Sequence, residues 1–125
     1  MEKKMIIGSD ASGFNLKEAV KAHLVELGYE VTDVGTQSLD APVAFNDVSG
    51  NLAKAVSEEK FERGIVMCGT GMGVSLIANK YHGVYAGLCE SLYAVNRARV
   101  FNIINVLAMG GFIVGPEMGV RMVDE

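Results

Sequence analysis

The sequence of 125 residues lacks tryptophan and has two prolines and two cysteines. No apolar run approaches the roughly 18 residues of a membrane-spanning helix, so no membrane span is expected. Basic residues are not in excess, because 11 Lys and Arg stand against 15 Asp and Glu, a formal net charge of −4. This balance gives no electrostatic basis for binding nucleic acid. Two thiols in a chain with no export signal are expected to be reduced rather than bridged.

The chain does contain a large share of apolar residues. Hydrophobic residues make up 50% of the sequence and charged residues 21%. At this length, the composition predicts one globular domain, 1–125, with a substantial core. The N-terminal Met1-Glu2-Lys3-Lys4 leads directly into an apolar run. We therefore expect no signal peptide and, as the default, a cytoplasmic location.

Short apolar runs alternate with helical periodicities along the chain. Strands are predicted at 5–8, 30–34, 65–67, 84–89 and 104–109. Helices are predicted at 14–27, 46–59, 74–82, 92–101 and from 116. Strands without a polar–apolar alternation are typical of sheets covered on both faces. The order of elements therefore predicts a three-layer α/β fold with a five-stranded parallel sheet.

The most informative stretch, residues 64–73, reads Gly-Ile-Val-Met-Cys-Gly-Thr-Gly-Met-Gly. A buried strand is followed by three glycines at alternate positions and then by a helical pattern. This geometry directs backbone N–H groups at an anion, and glycine removes the Cβ atoms that would keep a ligand away. Cys68 and Thr70 stand between the glycines, and a thiol at a helix N-terminus ionises more readily than a free one. The stretch therefore predicts an anion cradle with a base beside it.

Other polar residues follow the ends of the predicted strands. Parallel sheets bind ligands beyond the carboxyl ends of their strands, which here collect Asp10, Cys68, Thr70 and Glu90. Asp10, in Asp-x-x-Gly before a helix, fits either a helix cap or a ligand to a substrate. The glycine stretch also fits a tightly packed turn in which Cys68 is a small core residue. A dinucleotide-binding turn is a third interpretation, although Val74 stands in the place of its third glycine.

Four different motifs follow one another along the chain. They are Gly8-Ser9-Asp10-x-x-Gly13-Phe14-x-Leu16-Lys17-Glu18, then Cys68-Gly69-Thr70-Gly71-Met72-Gly73, then Ala78-Asn79-Lys80, and finally Asn105-Val106-Leu107-Ala108-Met109-Gly110 with Gly115-Pro116-Glu117. Together they resemble the ribose-5-phosphate isomerase B / galactose-6-phosphate isomerase family. The resemblance implies a Rossmann-like α/β/α fold and aldose–ketose isomerisation of a sugar or sugar phosphate without metal or cofactor. It also implies a homodimer or homotetramer with its sites at the subunit interface.

The same resemblance implies roles for individual residues. Cys68 is the base that carries a proton between C1 and C2, Thr70 assists opening of the sugar ring, and Asp10 binds substrate hydroxyls. The backbone of the glycine stretch holds the enediolate oxygens. The implied substrate-binding residues are Gly69, Gly71, Met72, Gly73, Asn102 and Ser12.

The chain departs from the family pattern where phosphate is bound. Ala11, Phe101 and Phe112 stand where the family has His, His and Arg, and Ala44-Phe45-Asn46 replaces an Asp-Tyr-Pro run. We expect the family's basic C-terminal segment to be absent, since the chain stops at Glu125. A phosphate dianion needs several charge-assisted hydrogen bonds. These departures therefore predict poor conversion of ribose 5-phosphate.

Three functions stay open at this stage. Retention of Cys68, Thr70, Asp10 and the glycines favours an isomerase. Loss of the phosphate-binding residues favours a non-catalytic or partner subunit of a hetero-oligomeric isomerase. The third candidate is a nucleotide-binding Rossmann-like module. Under the first two, we expect Phe101, Phe112 and Tyr81 to pack at a subunit interface, because soluble monomers rarely expose large apolar patches.

Overall fold

Five parallel strands form the centre of the structure, a computed structural model that describes residues 3–124. The strands are β1 (Lys4–Ser9), β2 (Glu30–Asp33), β3 (Gly64–Cys68), β4 (Ala86–Leu88) and β5 (Val106–Gly110). Their order in the sheet is β2-β1-β3-β5-β4, and every neighbouring pair is parallel. The predicted parallel sheet is confirmed, and Cys68 ends its middle strand as expected.

Helices cover both faces of this sheet. They are α1 (Phe14–Glu26), α2 (Phe45–Ser57), α3 (Met72–Ala78), α4 (Leu92–Arg97) and α5 (Pro116–Asp124). Buried residues of α1, α4 and α5 share one core with the sheet, and those of α2 and α3 share the other. Strands β3 and β5 are buried along their whole length because both faces are covered. The three-layer, Rossmann-like α/β/α fold is therefore confirmed.

Strand β4 is shorter than its apolar run, 84–89, predicts. Asn105 Oδ1 accepts a hydrogen bond from the backbone N–H of Tyr85 at 2.8 Å. Asn79 Oδ1 accepts from the N–H of Ala86 at 2.7 Å, and its Nδ2 donates to the carbonyl of Ala86 at 2.9 Å. Asn105 thus takes the N–H of Tyr85, Asn79 bonds both backbone groups of Ala86, and the pairing with β5 begins at Ala86.

The predicted helix 92–101 is also interrupted. It is α-helical from Leu92 to Arg97 and continues as a π turn, Ala98–Asn102. Ile103 then adopts a left-handed conformation with φ 53°, which is strained for a β-branched residue. The guanidinium of Arg99 donates to the carbonyl of Ile104 and holds this turn against the chain entering β5. A periodicity of apolar residues does not distinguish a wide final turn from a regular one.

A buried ion cluster joins α1 to the carboxyl end of β2. The Lys17 side chain is completely buried, and its Nζ lies 2.6 Å from Asp33 Oδ2 and 2.6 Å from the carbonyl oxygen of Thr36. Lys21 Nζ lies 3.1 Å from the same carboxylate oxygen, and the Gly35 N–H donates to Asp33 Oδ1 at 2.9 Å. Burial on its own raises the pKa of Asp33. The hydrogen bonds from Lys17, Gly35 and Lys21 outweigh it and hold that pKa below its ordinary value.

This lowered pKa makes stability depend on pH. A carboxylate with a depressed folded-state pKa stabilises the protein above its unfolded-state pKa of about 3.9, and that contribution is lost as the pH falls through the folded-state value. We expect Asp33→Asn to lower the free energy of unfolding by about 3 kcal/mol at pH 7, because buried Lys17 then keeps only the half-exposed carboxylate of Glu18, at 2.6 Å, as a counter-ion. We also expect the variant to lose less stability than the wild type on acidification. Urea unfolding at pH 7 and pH 3.5 measures both effects.

The exposed carboxylate Asp40 provides the matched control. Asp40→Asn is expected to keep the wild-type stability at pH 7 and the wild-type loss on acidification, since an exposed charge contributes little. An Asp33→Asn variant with an unchanged pH dependence would contradict the assignment.

Candidate active site

The predicted site residues of β1 and β3 meet at one edge of the sheet. The strand order reverses between these two strands, and open parallel sheets bind ligands in the crevice at such a point. The Asp10 N–H donates to the Met67 carbonyl at 3.3 Å. Gly13 packs so closely that a Cβ built on it would lie 3.2 Å from the backbone nitrogen of Cys68. Asp10 and Cys68 therefore share one rim, as the sequence predicts.

The glycine loop, residues 69–73, follows β3 and curls around the thiol of Cys68. The Gly71 N–H donates to Cys68 Sγ at 3.2 Å, and Cys68 is 7% exposed. Gly71 has φ 83°, and a Cβ there would lie 2.6 Å from Leu88 Cδ1 and 2.8 Å from the backbone carbon of Met109. A donor aimed at sulfur stabilises negative charge on it. Only glycine can supply this donor, because any other residue would be both strained and too close to its neighbours.

Neighbouring elements hold the loop in place. From the end of β5, the Gly111 N–H donates to the Cys68 carbonyl at 2.7 Å and the Phe112 N–H donates to the Gly69 carbonyl at 3.0 Å. From α2, the buried Ser49 hydroxyl donates to the carbonyl of Val74 in α3 at 2.6 Å. The backbone N–H groups of the loop are thus preorganised by contacts on both sides, which is what stabilisation of a developing oxyanion requires.

The remaining residues at this edge are also connected. Asp10 Oδ1 accepts from the Ser12 hydroxyl at 2.7 Å and from the Gly13 N–H at 3.1 Å, so the predicted cap is confirmed, while its role as a ligand stays a prediction. A Cβ on Gly69 would lie 3.3 Å from Ser12 Oγ, which places Ser12 beside the loop. Exposed Thr70 accepts the N–H of exposed Met72 at 3.2 Å. One chain therefore brings Cys68, Asp10, Ser12, Thr70 and the glycine loop together.

Asn102 is not part of this group. It ends the π turn after α4, and α4 runs back from the carboxyl end of β4 to the amino end of β5. Asn102 therefore lies at the opposite end of a strand of five residues, which spans about 16 Å at roughly 3.3 Å per residue. Within one chain, Asn102 cannot contact a ligand bound at Cys68.

Two aromatic rings that the sequence does not predict as site residues, Phe45 and Phe112, line the loop. A Cβ on Gly69 would lie 2.8 Å from Cε2 of Phe112, and one on Gly73 would lie 2.9 Å from Cε2 of Phe45. Glycine spacing could have indicated that something packs closely on the loop but not which residue. The expected exposure of Tyr81 is wrong, since that ring is half-buried against the α2–α3 core.

Basic side chains are scarce at this edge. Of the 11 Lys and Arg, Lys17 and Lys21 lie near it, and both bind Asp33. The other nine lie towards the opposite end, because they precede or begin strands or lie in or beyond the later turns of helices: Lys3, Lys4, Lys54, Lys60, Arg63, Lys80, Arg97, Arg99 and Arg121. The acidic residues Asp10 and Glu90 follow β1 and β4. Within residues 3–124, the rim therefore carries acidic groups and no unengaged basic side chain.

The second thiol lies apart from the loop. Cys89 follows β4 and is buried in the core on the α1 side, and burial raises the pKa of its thiol. Both cysteines are free. In the part of the chain that the structure describes, no three His, Cys, Asp or Glu residues are grouped to hold a metal ion. Nor does any helix in that part have the length and apolar character needed to cross a membrane.

Comparison with known proteins assigns this fold and its glycine loop to a class of sugar isomerases. The family model for ribose/galactose isomerases matches residues 5–125. The chain is 47% identical over 121 residues to a 4-deoxy-4-sulfo-D-erythrose isomerase of Clostridium sp. (strain MSTE9), covering 97% of this chain and 76% of the relative. It is 41% identical over 122 residues to ribose-5-phosphate isomerase B of Escherichia coli (strain K12), covering 98% and 81%.

The structural comparison agrees. Ribose-5-phosphate isomerase B of Clostridium thermocellum superposes with a TM-score of 0.92 at 40% identity, covering 97% of this chain and 81% of that one. The chain belongs to the ribose/galactose isomerase family.

The close contacts of Gly71 generate a prediction about stability. Gly71→Ala is expected to lower the free energy of unfolding by about 1–2 kcal/mol, because alanine is strained in the left-handed backbone conformation. Overpacking against Leu88 and Met109 should lower it by a further ~1–3 kcal/mol. Gly83→Ala is the matched control, because Gly83 has φ 79° but no neighbour within 4 Å of a built Cβ. It should show the backbone loss alone. Equal losses in urea unfolding of the two variants would refute the packing argument.

Proposed function

We propose that this chain interconverts an aldose and a ketose through an enediolate, with Cys68 as the base. The observation that carries the proposal is the placement of Cys68 Sγ inside the glycine loop, where it accepts the Gly71 N–H at 3.2 Å. The relatives named above are isomerases of sugars, and the chain is an isomerase of the same family.

The chemistry needs few groups. The Cys68 thiolate takes the proton from the carbon next to the carbonyl group, and the electron pair of that C–H bond forms the enediolate as the carbonyl oxygen gains negative charge. The same thiol then returns the proton to the neighbouring carbon on the same face, while a hydroxyl proton passes between the two oxygens. The N–H groups of the loop offset the developing charge. Asp10 and Ser12 hold hydroxyl groups of the sugar, and Thr70 assists ring opening.

The substrate we propose is a short sugar other than ribose 5-phosphate. The relative at 47% identity acts, by its name, on 4-deoxy-4-sulfo-D-erythrose, a four-carbon sugar with a sulfonate. Ala11, Phe101 and Phe112 stand where the family has its cationic phosphate ligands, so a phosphate would lack partners here. This compound, 4-deoxy-4-sulfo-D-erythrose (sulfoerythrose below), is therefore the first substrate to assay. Absence of turnover by the chain alone would instead favour a partner subunit that needs a second component.

We also propose a cytoplasmic homodimer or homotetramer in which each active site is shared. Phe112 beside the loop is 75% exposed, and Phe101 in the π turn is 68% exposed. Within one chain, these two residues lie at opposite ends of the sheet, because Phe101 precedes β5 and Phe112 follows it. In a two-fold dimer, the π turn of one subunit can cover the loop of the other, twice over. This arrangement brings the partner's Asn102 to Cys68 and buries both aromatic surfaces.

The base assignment predicts the effect of two cysteine variants. Cys68→Ala is expected to reduce isomerase activity on sulfoerythrose at least about 100-fold, since proton transfer by a positioned group contributes 10²–10⁴. Cys89→Ala, the control, removes the thiol outside the loop and should keep activity. A coupled assay of each purified variant measures this. Full activity of Cys68→Ala would remove the assignment.

The shared site predicts complementation between inactive variants. Cys68→Ala lacks the base and Asn102→Ala lacks the partner's contact, so a mixed dimer has one intact site and one doubly altered site. Equal mixtures refolded together should recover about a quarter of wild-type activity, because half of the dimers are mixed and each has one of its two sites intact. The isomerase activity of each variant alone should stay low. No recovery, or a monomer by light scattering at micromolar concentration, contradicts the shared site.

A further inference from the structure

Aromatic rings bound the glycine loop on two sides. Phe112 follows β5, and its Cε2 and Cδ2 lie 2.8 and 2.9 Å from the position of a Cβ on Gly69. Phe45 opens α2, and its Cε2 lies 2.9 Å from the corresponding position on Gly73. Gly69 and Gly73 are the first and last glycines of the loop. The two rings therefore border the loop at its first and last glycines.

Neither ring is held there by the hydrophobic cores. Phe45 is 42% exposed and Phe112 is 75% exposed, and neither belongs to the core clusters. The position of Phe112 is set by its backbone instead, because its N–H donates to the Gly69 carbonyl at 3.0 Å. The preceding residue, Gly111, packs so tightly that a Cβ on it would lie 2.5 Å from the Ser12 carbonyl oxygen. A fixed backbone thus presents an apolar ring beside the loop.

The charges around the rings disfavour a dianion. Lys17 is fully buried, and it and Lys21 both bind Asp33. Asp10 and Glu90 add negative charge at the same edge. A phosphate dianion placed against a ring would lose its hydration without gaining charge-assisted hydrogen bonds from this chain, and the face of an aromatic ring is itself electronegative. A neutral or singly charged end group loses far less.

We infer that Phe45 and Phe112 select the end group of the substrate: they admit a sugar whose end remote from the reacting carbons is neutral or singly charged, and they exclude a phosphate dianion. The inference rests on the proposed isomerase function. It adds to that function the two residues that set specificity and the chemical class that they accept.

Three four-carbon aldoses that differ in the end group test this inference. They are D-erythrose, 4-deoxy-4-sulfo-D-erythrose and D-erythrose 4-phosphate. For the wild type, kcat/KM with the phosphate is expected to be at least about tenfold below that with the sulfonate, the loss of one charge-assisted hydrogen bond or more. Phe112→Lys should raise the ratio of phosphate to sulfonate about tenfold by placing a cation beside the loop.

Two controls separate charge at this position from other effects. Phe112→Met has a side chain close to that of lysine in length but without charge, and it should keep the wild-type preference for the sulfonate. Val25→Lys adds the same charge near the end of α1, where Val25 is 57% exposed. It should leave the ratio unchanged.

The outcomes distinguish a failure of the inferred end-group selection from a failure of the proposed isomerase function. A wild type that prefers the phosphate, or a Phe112→Lys variant with no higher phosphate-to-sulfonate ratio than Phe112→Met, overturns the inference alone, provided that turnover still depends on Cys68. Absence of turnover of all three aldoses by the wild type overturns the proposed function, and the inference with it.

Discussion

Close approach of three backbone segments at the carboxyl end of β3 is the constraint on which the site depends. A Cβ on Gly13 would lie 2.9 Å from Met67 Cβ, and one on Gly110 would lie 2.6 Å from the backbone carbon of Thr70. The turn after β1, the loop after β3 and the turn after β5 can meet only because these positions lack side chains. Their meeting places Asp10, Cys68 and Phe112 around one crevice and leaves the loop little freedom to relax away from a developing anion.

The buried ion cluster gives the same edge its electrostatic character. Lys17 and Asp33 join α1 to β2 just beside the crevice, and a buried pair of this kind is strongly destabilising to break. The cluster engages both basic residues that the described part of this chain brings near the crevice. The interactions that stabilise this part of the fold therefore also occupy its basic side chains.

A single chain supplies the residues to which we assign proton transfer but not the whole of the proposed site. Asn102 and Phe101 lie on a π turn at the far end of the sheet, and wide turns of this type are frequent at functional positions. Their exposure and that of Phe112 have one explanation if two chains pack in opposite orientations about a two-fold axis. Association would then complete the site and remove the apolar surface from water in the same step.

The sequence by itself determined the parallel sheet, the position of Cys68 at the end of the middle strand and the glycine turn that follows it. Apolar periodicity and glycine spacing are local properties, so they can be read without knowing which segments meet. Tertiary structure alone decided that Phe45 and Phe112 lie over Gly73 and Gly69, that β4 begins only at Ala86, and that Asn102 lies away from Cys68. Those features depend on contacts between residues far apart in the chain, and steric fit between such segments leaves no periodic signal in either of them.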